Sequence, residues 1–151
     1  MMTENHTEQT VTELIGKARD RSSWETRLQA IKELENHDTP KTRDVLISLA
    51  THDRVYAVKE EAASIANRMN YTTNEGKKVV VTKKDTKYKN SDFTKLFHQV
   101  KRELEMEEFD LDVFKEKFST TNPEMYDVMQ YEHKDKFDQW IENRYMNLPK
   151  K

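Results

Sequence analysis

The residues best suited to chemistry form a lysine-rich stretch near the middle of the chain. Residues 77–102 carry a net charge of +7, and residues 103–112 follow with six acidic side chains and no basic ones. Lysines around a tyrosine can follow a phosphate backbone while the ring stacks on a base. The same pattern is typical of a solvated linker or of a segment that binds an acidic surface, including the acidic run of this chain. The candidate contact residues for a partner or a polyanion are Lys77, Lys78, Lys83, Lys84, Lys87, Tyr88 and Lys89.

No other set of residues has the spacing of a chemical site. The absence of cysteine excludes disulfides, thiolate zinc sites and cysteine nucleophiles, and two glycines are too few for a phosphate-binding loop. The five histidines do not form a metal-binding HExxH pattern. Asp110, Asp112 and Glu116 lack the glycine and the terminal glutamate of a calcium loop, so we interpret them as helix-capping residues. We therefore expect no catalytic, cofactor-binding or metal-binding residues, and a protein that is not an enzyme.

Composition restricts the kind of fold that positions these residues. Of the 151 residues, 34% are hydrophobic and 36% are charged, which predicts a thin core. The net charge of −2 gives no global attraction to nucleic acid or to an anionic membrane. No apolar run reaches the roughly 18 residues that span a bilayer, and residues 1–10 lack the apolar segment of a signal peptide. We expect a soluble, cytoplasmic, all-α protein with no membrane partner.

Apolar residues at helical spacing predict four helices in the first half of the chain. Ser23 and Thr39 are the predicted N-caps of the second and third helices, and Pro40 fits the first turn of the third. Asp53 is predicted to cap the fourth. Short connections make consecutive helices antiparallel neighbours. The predicted core of this half comprises Leu28, Ile31, Leu49, Val58 and Ile65.

Two of these helices are similar to each other at an offset of 32 residues. At that offset Arg27 aligns with Lys59, and Ala30 aligns with Ala62. Paired helices that repeat at a period of this length are typical of an α-solenoid.

Over roughly residues 10–70 the chain resembles HEAT repeats. In that family an aspartate precedes the first helix of a unit and a Val-Arg pair follows; Asp53 and Lys59 match this pattern, with lysine in place of arginine. Arg27 matches in the earlier unit, whereas Arg21 stands where the aspartate would be. The resemblance implies a ladder between units formed by Arg27, Asp53 and Lys59, with Arg27 close to Asp53. An exposed pair of this kind would set the register of the helices more than their stability.

The second half has a different composition, because all six phenylalanines follow residue 90. Residues 71–90 lack a helical apolar face, and we predict a linker with a brief extended piece at residues 79–81. Four helices are predicted after it, with Ser91, Asp110 and Asn122 capping the first three. Large aromatic residues would fill the space between them. The predicted core comprises Phe97, Phe114, Phe118, Phe137 and Trp140.

These patterns predict a short HEAT-like antiparallel helical repeat at residues 1–70, a basic linker at 71–90 and a small aromatic-rich helical bundle at 91–151. Because HEAT-like repeats are typically interaction surfaces, the leading interpretation is a non-enzymatic adaptor or scaffold that binds another protein. The alternative is a nucleic-acid-binding protein that uses the basic segment 77–102. A third interpretation is a lyase or chaperone similar to the HEAT-type phycobilin lyases.

Overall fold

The computed structural model describes residues 2–81 and 86–149, with side chains from residue 8 onward. Across this part of the chain the regular secondary structure is helical, which confirms the all-α prediction. The chain divides into two compact units, Met1–Thr86 and Lys87–Lys151. The α-helices of the described residues are α1 (Met2–Ala18), α2 (Trp24–Leu34), α3 (Pro40–His52), α4 (Tyr56–Arg68), α5 (Asn90–Leu104), α6 (Leu111–Thr121), α7 (Pro123–His133) and α8 (Phe137–Met146), with a 3-10 turn at Lys134–Lys136 before α8.

The first unit arranges its four helices in two layers. Helix α1 packs against α2 and α3 against α4, while α2 also contacts α4 and α1 contacts α3. Local signals in the sequence fix two of the helix starts. The hydroxyl of Ser23 accepts the Thr26 N–H at 3.2 Å, and the hydroxyl of Thr39 accepts the Thr42 N–H at 3.1 Å. Both predicted N-caps are therefore confirmed, and Pro40 occupies the first turn of α3.

The core of the first unit contains most of the residues that were predicted for it. The buried members of that set are Ile31, Leu49, Val58 and Ile65. The prediction is wrong for Leu28, which is only half-buried. The buried face of α2 runs through Arg27, Ile31 and Leu34, at i, i+4 and i+7, and Leu28 lies beside that stripe.

The segment that follows α4 folds back onto it. Thr72 and Lys78 form an isolated antiparallel bridge around a turn in which Gly76 has a φ of 77°. The side-chain amide of Asn67 donates to the Val79 carbonyl at 2.8 Å and accepts the Val79 N–H at 3.2 Å. Val79 is buried by this contact. Residues 71–81, which were predicted to begin a linker, therefore pack as part of the first unit.

The second unit joins its helices in sequence, with α5 on α6, α6 on α7, and α8 against both α6 and α7. Asp110 accepts the Val113 N–H at 3.2 Å, and Asn122 accepts the Met125 N–H at 3.1 Å. These two predicted N-caps are confirmed.

Two predicted caps lie at other positions. The N-cap of α5 is Lys89 and not Ser91, because the helix already begins at Asn90 and Ser91 lies in its first turn. The carboxylate of Asp92 accepts the Lys89 N–H at 2.8 Å. The N-cap of α4 is Val55 and not Asp53. The Asp53 side chain accepts the Val55 N–H at 2.8 Å, so it still organises the turn before the helix.

Phenylalanine rings form the core of the second unit, as predicted. The fully or almost fully buried rings are Phe97, Phe114, Phe118 and Phe137. The Phe97 and Phe114 centroids lie 4.9 Å apart. Trp140 contacts Phe97 edge-on, with the ring centroids 5.7 Å apart, as expected of a core residue. The prediction that Trp140 is buried is wrong, because its side chain is only half-buried. One edge of this ring reaches the surface because it lines a pocket at the end of α8.

Candidate interaction site

Arg27 and Asp53 form a buried, two-pronged ion pair between α2 and the loop after α3. Arg27 Nε donates to Asp53 Oδ2 at 2.8 Å, and Arg27 Nη2 donates to Asp53 Oδ1 at 3.1 Å. The predicted proximity of the two side chains is confirmed. The expectation of an exposed pair is wrong, because Arg27 is 1% exposed and Asp53 is fully buried.

The neighbours of this pair connect two interhelical loops. Arg27 Nη1 donates to the Asp20 carbonyl oxygen at 2.8 Å, and Arg21 Nη1 lies 3.6 Å from Asp53 Oδ2. The side chain of Asp20 accepts hydrogen bonds from Ser22, which lower the pKa of its carboxyl group. Lys59, the third residue of the proposed ladder, is buried in α4. This network holds helices in register and leaves no open position for a ligand on Asp53.

An open groove of about 610 Å³ lies on the surface of the first unit. One wall is the outer face of α3, where Arg43, Ile47 and Thr51 follow one another at intervals of four residues. The other wall is the turn and extended segment at residues 73–80, including Val80. Asn67 and the isolated bridge hold this second wall in place.

The groove combines apolar and charged side chains. Val80 is 67% exposed and Ile47 is half-buried, so both present apolar surface to solvent. Arg43 is held on one wall, because its Nη2 donates to the Thr72 carbonyl at 3.0 Å. Lys77 Nζ lies 3.5 Å from the Glu75 carboxylate, and the adjacent Lys78 is exposed. This mixture resembles the rim and centre of a protein-binding surface more than a phosphate cradle.

Local sequence patterns do not specify the groove, although they contain one signal for it. In extended backbone alternate side chains point to opposite sides, so the 79–81 valine run places one side chain inward and the next outward. Val79 is buried and Val80 is exposed accordingly. The contribution of α3 depends on how the chain folds back, which no local pattern specifies.

The candidate lysines are distributed over both compact units. Lys77 and Lys78 line the groove of the first unit. Lys87 and Lys89 are exposed residues at the start of the second. The remaining two candidates, Lys83 and Lys84, lie outside the described residues.

Tyr88 has a packing role in the second unit. Its ring centroid lies 5.8 Å from that of Phe93, and its hydroxyl lies 3.5 Å from a carboxylate oxygen of Glu124. The ring is half-buried by these contacts. In the acidic run, Glu103 lies 3.9 Å from Lys117 Nζ and so has a basic neighbour in α6. A base that stacked on Tyr88 would have to compete with Phe93.

The described residues form neither a metal-binding cluster nor a membrane-spanning helix. No group of three or more histidine, aspartate or glutamate residues among them is arranged to hold a metal ion. Within residues 2–81 and 86–149 no helix has the length and apolar character required to cross a bilayer.

Comparisons of the chain with protein-family models, curated proteins and solved structures find no match.

Proposed function

We propose that the protein is a non-enzymatic helical adaptor whose first unit, a HEAT-type repeat, binds another protein in the groove between α3 and residues 73–80. The observation that carries this proposal is the exposure of Val80 at the wall of that groove. Among the described residues, the large hydrophobic side chains that remain exposed are Val80, Val113 and Met146, and Val80 is the most exposed of them at 67%. Val80 and the half-buried Ile47 line the same groove, and apolar side chains that share a patch of surface favour a binding role more than a single exposed valine does.

The charges around the groove indicate the chemistry of the partner. The apolar surface of Ile47 and Val80 suits one apolar side chain of the partner. Arg43 and Lys77 each have a carboxylate neighbour, whereas Lys78 extends the basic side of the groove. A groove of this size accommodates one peptide segment and not a whole domain. The proposed partner therefore presents a segment with an apolar residue next to a carboxylate.

The test compares two exposed valines by the same substitution. Val80→Glu places a charge in the groove, and Val113→Glu places the same charge on α6 in the second unit. Tagged full-length variants would be crosslinked in their native cells, and the captured proteins would be identified by mass spectrometry. We expect the wild type and Val113→Glu to capture a common protein that Val80→Glu does not. Circular dichroism would verify that all three remain equally helical.

Two results would contradict the proposal. If both valine variants captured the same proteins as the wild type, the groove would not be the binding site. If the wild type captured no protein above background, the adaptor function itself would be rejected.

The nucleic-acid alternative has one observation in its favour, the exposure of the four described candidate lysines Lys77, Lys78, Lys87 and Lys89. The contact of Tyr88 with Phe93 opposes it, because single-strand binders use free aromatic rings as stacking platforms. The adaptor proposal is therefore preferred, and the salt dependence of binding distinguishes the two functions.

A further inference from the structure

The second unit contains an open pocket of about 490 Å³ between the start of α5 and the end of α8. Its polar lining includes Asn90, Thr94, Asn143 and Arg144, and the ring of Trp140 forms part of the wall. Among the described residues that line it, the one charged side chain is the guanidinium of Arg144, and none is an aspartate or glutamate. The pocket therefore has an excess of positive charge in a chain whose net charge is negative.

The guanidinium of Arg144 is held in a fixed orientation. Its Nη2 donates to Asn90 Oδ1 at 3.1 Å. Its Cζ lies 4.9 Å from the ring centroid of Phe93 and 5.7 Å from that of Trp140, which are cation–π distances. Positioning of this kind reduces the entropy that a ligand would have to remove on binding.

This guanidinium has hydrogen-bonding capacity that its own unit does not use. Among the described residues, Arg144 Nε and Nη1 have no hydrogen-bond acceptor, and no carboxylate forms an ion pair with the side chain. Burial lowers the pKa of Arg144 from its ordinary value, but arginine remains charged at neutral pH. A half-buried cation without a protein counter-ion has lost hydration that an anion would replace.

We propose that this pocket binds the oxyanion of a small ligand, a carboxylate or phosphoryl group, on the free edge of Arg144. Asn143 is exposed at the wall and Thr94 is half-buried, and both provide neutral hydrogen-bonding groups for the same ligand. The site is formed by residues of the second unit and does not depend on the proposed protein-binding groove.

The experiment uses the full chain with inorganic phosphate and acetate as the two probes. The protein has two tryptophans, so Trp24→Phe leaves Trp140 as the reporter of its own pocket. Each anion is titrated against chloride at constant ionic strength. The Trp140 fluorescence and the Arg144 Nε–H resonance are followed.

We expect a saturable change in both signals. A response to phosphate alone would identify a phosphoryl site, to acetate alone a carboxylate site, and to both a general oxyanion site. No saturable response to either probe would overturn the proposal.

Three variants separate the site from general effects of charge. Arg144→Gln is expected to weaken binding by at least about tenfold, because a hydrogen bond to a charged group is lost. Arg102→Gln removes an exposed arginine of α5 that does not line the pocket, and it should bind as the parent protein does.

The third variant keeps the proposal testable if Arg144→Gln fails to fold. Asn143→Asp leaves the ring contacts of Arg144 intact and adds a carboxylate to the exposed wall of the pocket. We expect a similar loss of anion affinity with an unchanged melting temperature. Unchanged affinity in Asn143→Asp would overturn the proposal, as would equal affinity in the two arginine variants.

Discussion

Arg27 and Asp53 place an ion pair in a core that is short of apolar residues. A buried pair contributes little net stability compared with apolar residues of the same size, because both charges must lose their hydration. Removing one partner is strongly destabilising, because it leaves the other charge buried and unpaired. The pair therefore selects one arrangement of α2 against the loop after α3, and its loss is costly even though its formation is not strongly favourable.

We predict that Asp53→Ala lowers the free energy of unfolding of the first unit by about 3 to 5 kcal/mol. The loss arises because Arg27 remains buried, and because the Val55 N–H loses its acceptor. The matched control is Asp44→Ala, which removes a carboxylate that pairs with Arg43 at the surface. That change is expected to cost at most about 1 kcal/mol. Urea unfolding measures both values, and a similar loss in the two variants would contradict the role assigned to burial.

His133 lies against Trp140 in the second unit, with the ring centroids 4.7 Å apart and nearly parallel. Its Nε2 is buried and has no hydrogen-bond partner among the described residues. Burial lowers the pKa of His133 from its ordinary value of 6.5, and the positive charge of Arg144 lowers it further. The neutral ring is thus the form that fits this position.

We predict that the second unit becomes less stable as the pH falls below 6.5. In the unfolded chain His133 binds a proton near its ordinary pKa, whereas in the folded chain it binds one only at lower pH. The unfolded state then holds more protons, so acid favours unfolding, by at most about 1.4 kcal/mol per pH unit for one group. About one pH unit above 6.5 His133 is neutral in both the folded and the unfolded chain, so this group no longer makes the stability depend on pH.

The variant His133→Phe retains a ring against Trp140 and cannot titrate. Its unfolding, followed by Trp140 fluorescence in a Trp24→Phe background, should show a weaker dependence on pH than the parent protein does. His52→Gln, an exposed histidine of α3 in the first unit, serves as the control. If His133→Phe and His52→Gln gave the same pH profile, the assignment to His133 would be wrong.

Among the helices, the sequence predicted the features that depend on residues close together in the chain, such as the N-caps. Ser23, Thr39 and Asn122 could be identified as caps because a side chain three residues before an amide can accept its hydrogen bond. Leu28 was misplaced because an arginine occupies the buried stripe of α2, and a hydrophobicity pattern assigns that position to solvent. The stacking of Arg144 on Phe93 joins residues 51 positions apart, so no local pattern reveals it.

Asn67 connects two elements that the sequence pattern left separate. Its amide uses both a donor and an acceptor on the backbone of Val79, which is how a neighbouring strand would pair with that residue. A single side chain therefore replaces the strand partner that the 79–81 segment lacks. This contact fixes one wall of the groove.

We predict that Asn67→Ala releases the segment at residues 77–81 from α4. The amide of Val79 loses its acceptor, so its hydrogen exchange should become faster, and the free energy of unfolding should fall by about 1 to 3 kcal/mol. Asn74→Ala, an exposed asparagine of the adjoining turn, is the control and should leave the Val79 amide protected. Equal protection of Val79 in Asn67→Ala and the wild type would show that other contacts hold this segment.

At the scale of the whole molecule, charge is concentrated in blocks although the total is only −2. Within the second unit, acidic and basic groups pair locally, as in the 2.7 Å contact of Lys115 with Asp138, which raises the pKa of that lysine. In the basic segment the candidate lysines Lys77, Lys78, Lys87 and Lys89 are exposed, and Lys77 also has the Glu75 carboxylate 3.5 Å away. The effect of these lysines on binding therefore depends on the summed electrostatic potential of the protein and on how strongly salt screens it.

The final prediction is that the wild type shows no saturable binding to single-stranded DNA or RNA between low and physiological salt. Fluorescence polarisation of a labelled oligonucleotide measures this, and the matched variant replaces all six candidate lysines by glutamine, taking the net charge from −2 to −8. Affinity that fell with a log–log slope of about −0.7 per contacted phosphate, and that the variant lost at unchanged melting temperature, would replace the adaptor with the nucleic-acid function. Binding to the protein partner should depend only weakly on salt, because apolar contact with Val80 is insensitive to salt and only the contribution of Lys77 and Lys78 is screened. Weakly salt-dependent binding of a protein partner, with no oligonucleotide binding, therefore supports the adaptor, whereas steeply salt-dependent oligonucleotide binding supports the nucleic-acid function.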